Sequence, residues 1–148
     1  MRDDGLFRQA MLAGHNGARR VVGLRPLQWD PALAMAAGVH AAAMARTGRF
    51  GHAAGGLSGQ GENLWMGTRG GYAYAEMVGQ WVAEGRDFID APTPAFSRTG
   101  QWQDVGHFTQ IVWRGTTRVG CAIASGPAYD YVVCRYDPAG NVMGQRAF

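Results

Sequence analysis

Four histidines and three glutamates are the side chains in this sequence best suited to chemistry. The histidines are His15, His40, His52 and His107; the glutamates are Glu62, Glu76 and Glu84. Imidazole nitrogens suit zinc, and a carboxylate can orient an imidazole N–H, carry a bridging water or ligate directly. His52, Glu62, Glu84 and His107 in one site would therefore make a candidate metal centre. Ligands so widely spaced carry no local signature, and on composition alone four surface or hydrogen-bonded polar residues are the better reading.

Other reaction classes lack their residues. There is no His-Glu-x-x-His helix, and no phosphate-binding Gly-x-x-x-x-Gly-Lys loop, since the chain has no lysine. Only three serines occur, Ser58, Ser97 and Ser125, and Gly56-Leu57-Ser58-Gly59-Gln60 misses the nucleophile elbow at its fifth position. The two cysteines, Cys121 and Cys134, lie in β-rich runs, Arg118 to Ala124 and Tyr129 to Tyr136, on either side of the turn Ser125-Gly126-Pro127. That layout suits a stapled hairpin; a disulfide and two buried free thiols both remain open on spacing alone. All 14 basic residues are arginine, scattered from Arg2 to Arg146 without a cluster, so a formal charge of +3 reads as a solvated, weakly basic surface. No basic stripe marks a nucleic-acid partner.

The elements that must position these residues follow from periodicity and caps. At 148 residues and 47% hydrophobic side chains, one compact domain over 1–148 is expected, with 1–5 as a flexible N-terminus. Phe7, Ala10, Met11 and His15 recur at helical spacing from about Leu6 to Val22. Asp30-Pro31 is an N-cap with proline at the first helical position, and Gly48 suits the left-handed position that closes the same helix. His40 shares a face with Leu33, Ala37 and Met44, which makes it a structural histidine. Gly51 to Gly61 reads as loop, Glu62 to Met66 as a short strand, and Tyr72 to Gly85 as a helix through Tyr74, Val78 and Trp81. Glu84 then meets the negative end of that helix, so a positive group is expected opposite it. Asp90 to Val105 is a long irregular connection, and Phe88, Ile89, Pro92, Pro94, Phe96 and Trp102, in it or just before it, either form an apolar surface or pin the loop to the core. Phe108, Ile111 and Val112 mark one short helix. Trp81 and Trp113 are expected to be buried. No run has the roughly 20 strongly apolar residues of a membrane span, and Met1 to Gly5 lacks an apolar leader core.

Several motifs in order resemble one family. Gly106-His107-Phe108-Thr109-Gln110-Ile111-Val112-Trp113 and Tyr131-Val132-Val133-Cys134-Arg135-Tyr136-Asp137-Pro138-Ala139-Gly140-Asn141 are similar to the two signatures of the CAP superfamily of cysteine-rich secretory, antigen 5 and pathogenesis-related 1 proteins. His15-Asn16 with Arg19, Leu27-Gln28-Trp29-Asp30, Gly61-Glu62-Asn63-Leu64 and Trp81-Val82-Ala83-Glu84 fall in the same order, so the resemblance covers residues 6–148. It implies an α+β three-layer α-β-α sandwich, here taken as the bacterial type of the extracellular domain. It implies a cleft tetrad of His52, Glu62, Glu84 and His107 for zinc or another divalent cation, and a Cys121–Cys134 disulfide. It further implies an exported protein, secreted or periplasmic and monomeric, with lipid, sterol or a cell-envelope component as partner. A metal-dependent hydrolase, with Glu62 or Glu84 as catalytic base, and a structural or signalling module without metal are the alternatives. The chain departs from many plant and animal relatives in having only the hairpin cysteines and no cysteine-rich C-terminal extension.

Overall fold

A computed structural model describes residues 3–55 and 57–148 of the chain. Helix α1 (Asp4–Val21) starts earlier than its apolar periodicity indicates, because the Asp3 carboxylate accepts from Leu6 N at 3.0 Å and caps it. Residues 3–5 therefore belong to the cap and first turn rather than to a flexible end, while positions 1 and 2 lie outside the described residues. Phe7, Met11, His15 and Arg19 form its buried stripe.

Strand β1 (Gln28–Trp29) leads into α2 (Pro31–Thr47), whose boundaries follow the sequence signals: Asp30 accepts from Ala32 N and Leu33 N, and Gly48 adopts φ +71°. After the loop come β2 (Gly61–Thr68), α3 (Tyr74–Ala83) running into a 3-10 turn over Glu84–Asp87, and α4 (Gly106–Ile111). The hairpin strands β3 (Arg118–Ser125) and β4 (Tyr129–Asp137) complete the order.

The four strands form one sheet in the order β1-β3-β4-β2, with β1 parallel to β3 and the other pairs antiparallel. Strand residues alternate between the two faces. On one face Leu64, Tyr131 and Val133 bury against Ala37, Ala41 and Met44 of α2. On the other, Trp65, Val119, Val132 and Tyr136 pack with α1, α3 and α4 residues such as Met11, Trp81 and Ile111. This is the α-β-α sandwich. Helix α2 approaches β3 so closely that a Cβ on Gly120 would stand 2.2 Å from Ala34 N and 2.5 Å from Asp30 O, so only glycine fits there.

Cys121 and Cys134 face each other in the β3–β4 register and are joined by a disulfide. Closing so short a loop limits the unfolded chain and contributes about 3 kcal/mol in the chain-entropy account. The long connection is pinned to the core: Phe96 is fully buried, and Phe88 meets Phe96, Phe108 and Phe148 with ring centroids 5.4–6.3 Å apart. Trp81 and Trp113 are buried, as their motifs indicate. Among the described residues no helix is long and apolar enough to cross a membrane.

Candidate functional site

The edge strand β2 carries Glu62 on the face turned to α2 and Asn63 on the opposite face, and the four predicted residues gather around this edge as two His–Glu pairs. His52 belongs to the loop after α2. His40, half-buried on α2, donates through Nε2 to Gly51 O at 2.7 Å and ties that loop to the helix, in keeping with a structural histidine. His52 Nδ1 then donates to Glu62 Oε1 at 2.9 Å, and Ala53 N donates to the same oxygen at 3.1 Å. The other oxygen of Glu62 accepts from Arg135 Nε at 2.7 Å. Arg135 is the register partner of Glu62 across β2 and β4, so strand pairing alone sets the two charges side by side. Gly61, next to Glu62, has no room for a side chain because a Cβ would sit 2.0 Å from Gln110 Oε1.

The second pair joins α3 to α4. Glu84, at the end of α3, accepts from His107 N at 3.0 Å and Phe108 N at 3.2 Å through Oε1, and from His107 Nδ1 at 2.7 Å through Oε2. These N–H groups supply the positive partner expected opposite this carboxylate. His107 stacks on Trp81, with ring centroids 5.8 Å apart and planes 20° from parallel. Phe50, Gln80, Trp81, Glu84 and His107 line a cleft of about 310 Å³; Phe50 brings the His52 loop to its rim, and His52 and Glu62 lie outside this lining.

Both imidazoles are therefore held the same way. Nδ1–H is committed to a carboxylate, and neither Nε2 has a hydrogen-bond partner among the described residues. The side chain of Glu62 is fully buried; burial alone would raise its pKa, but His52, Ala53 N and Arg135 outweigh it and lower it to about 2. The same hydrogen bond, opposed by partial burial, raises His52 above its ordinary value. With both oxygens of each carboxylate already accepting, the glutamates are placed to orient the imidazoles rather than to ligate beside them.

Behind this edge runs a buried chain of hydrogen bonds that the sequence did not reveal. His15 Nδ1 donates to Met11 O, and Nε2 accepts from Tyr136 OH, each at 2.7 Å. Asn63 Nδ2 donates to Tyr136 OH and to His107 O, both at 3.1 Å. The chain links the core of α1 to the backbone under His107. His15 also lies beside Cys121 and Cys134, the one group of three metal-ligand types gathered within 4.8 Å among the described residues. It is no metal site: the sulfurs are in the disulfide, and both ring nitrogens of His15 are engaged. Of the residues missed, Arg135 had a signal, a charged side chain inside the apolar run Tyr131 to Tyr136. Tyr136 and Asn63 read only as strand residues.

Comparisons with known proteins agree with this architecture. The family model described as CAP, cysteine-rich secretory protein family, matches residues 12–136. Pathogenesis-related proteins 1B and 1C of Nicotiana tabacum are 38% identical over 141 residues and 39% over 142, each covering 95% of this chain and 80% of the relative. The crystal structure of NaASP2 with Zn2+ superposes with a TM-score of 0.77 at 25% identity, over 99% of this chain and 88% of that one. That of BmVAL-1 superposes with a TM-score of 0.78 at 23% identity, over 99% and 84%. The expected bacterial type is not supported, since these sequence relatives are plant proteins.

Proposed function

Because this chain belongs to the CAP family of cysteine-rich secretory proteins, we propose that it acts as a single secreted domain, binding a divalent cation of the zinc type through His52 and His107. The observation that carries this reading is the shared geometry of the two imidazoles, with Nδ1 tied to a carboxylate and Nε2 left for a ligand. A carboxylate on the far nitrogen fixes the tautomer and makes the near one a better donor. The solved structure of NaASP2 with Zn2+ supports the same choice of metal, and the disulfide supports an oxidising compartment. A lipid, sterol or cell-envelope ligand would meet Phe50, exposed at the rim of the cleft, and Met35 and Val39 on the outer side of α2.

The hydrolase reading is less well supported. A general base needs a free oxygen and a pKa near the working pH. Glu62 is held near 2 with both oxygens engaged, and Glu84 accepts from three N–H groups.

The pH dependence of metal affinity tests the proposal. The proton that charges His52 must go to Nε2, because Nδ1–H already faces Glu62. Since the His52 pKa is raised, zinc affinity measured by calorimetry will begin to fall above pH 6.5, the ordinary histidine value, and will keep falling as acid is added. Glu62→Gln will weaken binding by roughly 10- to 100-fold, and will bring the onset of the fall back toward 6.5. An affinity unchanged between about pH 8 and about pH 5.5 would contradict the assignment of histidine ligands.

A further inference from the structure

The arginines, scattered along the sequence, are gathered in space at the end of the molecule where α1 turns toward β1. Arg19, Arg25, Arg114 and Arg118 line one cavity of about 730 Å³, together with Thr116 and Thr117. This corrects the expectation of a basic surface without a cluster: residues 19 and 25 come from one end of the chain and 114 and 118 from the other.

Arg19 is buried at 2% exposure, and no carboxylate pairs with it among the described residues. Its Nε donates to Arg25 O at 2.7 Å, Nη1 to Ile111 O at 3.0 Å and Trp113 O at 2.8 Å, and Nη2 to Thr116 O at 3.3 Å. A guanidinium has five N–H groups, so one on Nη2 remains without a partner among the described residues. Burial, with repulsion from Arg114 added, lowers the Arg19 pKa to about 10, which leaves it charged at neutral pH. Arg118 is paired with Asp30 at 3.3 Å, whereas no acid pairs with Arg19, Arg25 or Arg114 among the described residues. Three arginines without an acid partner among the described residues thus line the same space, and one of them, Arg19, is buried and held rigid by backbone carbonyls. Guanidinium N–H groups make strong, charge-assisted hydrogen bonds to phosphate, and Arg19 has one such N–H left to give.

We infer that this cavity is an anion site for a phosphate monoester, with Arg19 as its floor and Arg25 and Arg114 as its walls. A doubly charged group matches the uncompensated charge better than a single carboxylate does. The volume lies in the range of small-molecule pockets and exceeds what a lone phosphate ion fills, so the phosphate is the recognised end of a larger molecule. The site is separate from the His–Glu pairs and needs no metal.

The test uses metal-free full-length protein titrated with inorganic phosphate and with glycerol 3-phosphate, followed by the Nε–Hε NMR resonance of Arg19. Both probes should shift it saturably, with a dissociation constant of about 1 mM or below. The ester should bind at least as tightly as the free ion, and tighter binding of the free ion would overturn the assignment to a monoester. Arg19 is left intact because it also holds four carbonyls in place. Arg25→Gln with Arg114→Gln, both at exposed positions, should weaken binding roughly tenfold or more, as expected for lost charge-assisted hydrogen bonds. Arg146→Gln, at an arginine paired with Asp90 outside this cavity, should change nothing. An Arg19 resonance that never saturates, or equal affinity in the double variant, would overturn the site.

Discussion

Trp81→Ala is expected to destabilise the fold by about 3–5 kcal/mol, through lost burial and the cavity left behind. Trp81 sits on α3 at 3% exposure and touches the edge strand β2, His107 and His15. Its Nε1 donates to Leu64 O at 3.1 Å, which holds the edge strand β2 against the helix. Its ring stacks on His107 and meets His15 edge-on at 6.4 Å between centroids. Truncation therefore removes core volume, releases the edge strand and frees the His107 ring in one step. Urea titration measures the loss, and a change below about 1 kcal/mol would contradict the packing described here. Trp81→Phe keeps one aromatic ring but loses the N–H and part of the buried volume, so it should cost less than Trp81→Ala, about 1–3 kcal/mol.

The second large effect belongs to His15. Burial, opposed by the hydrogen bond to Met11 O and reinforced by Arg19, lowers its pKa to about 4 from 6.5. Between those two values the unfolded chain binds a proton that the folded chain refuses, so stability must fall as pH drops through this window. Above 6.5 there is no cost, and below about 4 the cost is complete, at about 3 kcal/mol. Two other groups act differently. His52 has a raised pKa, so its contribution is present below 6.5 and is lost as pH rises through its folded value. Glu62, held near 2, contributes above 4.5 and loses that contribution only as pH falls from 4.5 toward 2. The difference in unfolding free energy between the native protein and His15→Gln, measured from pH 7 to pH 4, isolates the His15 share. It should change by about 3 kcal/mol, with the variant losing less on acidification. Parallel pH profiles would show that His15 is not the buried neutral group that the Met11 and Tyr136 contacts require.

Local signals were legible in the sequence, and pairings across the chain were not. Asp30-Pro31 and Gly48 fixed both ends of α2, because caps are short-range chemistry. The two β-rich runs and their turn located the hairpin, but only the observed register sets Cys121 opposite Cys134. Strand β1 escaped notice: two residues carry no alternation, and its existence depends on parallel pairing with β3 nearly a hundred positions later. The site showed the same divide. The four His and Glu residues were named from the resemblance, while their division into His52–Glu62 and His107–Glu84 depends on how the loop after α2 folds back and how α4 meets α3. Arg135 beside Glu62 follows from the β2–β4 register, and the His15–Tyr136–Asn63 chain joins segments up to 121 residues apart. Contacts of that kind leave no periodic trace in a single sequence.

The proposed metal ligands are His52 and His107 together. Zinc calorimetry at about pH 8, above the ordinary histidine value, is run on three proteins: the native chain, the double variant His52→Ala with His107→Ala, and His40→Ala. One zinc should bind per native chain, with the same affinity in His40→Ala, whose ring serves the Gly51 carbonyl, and with no measurable high-affinity binding in the double variant. Full zinc affinity in a folded double variant would contradict this ligand assignment.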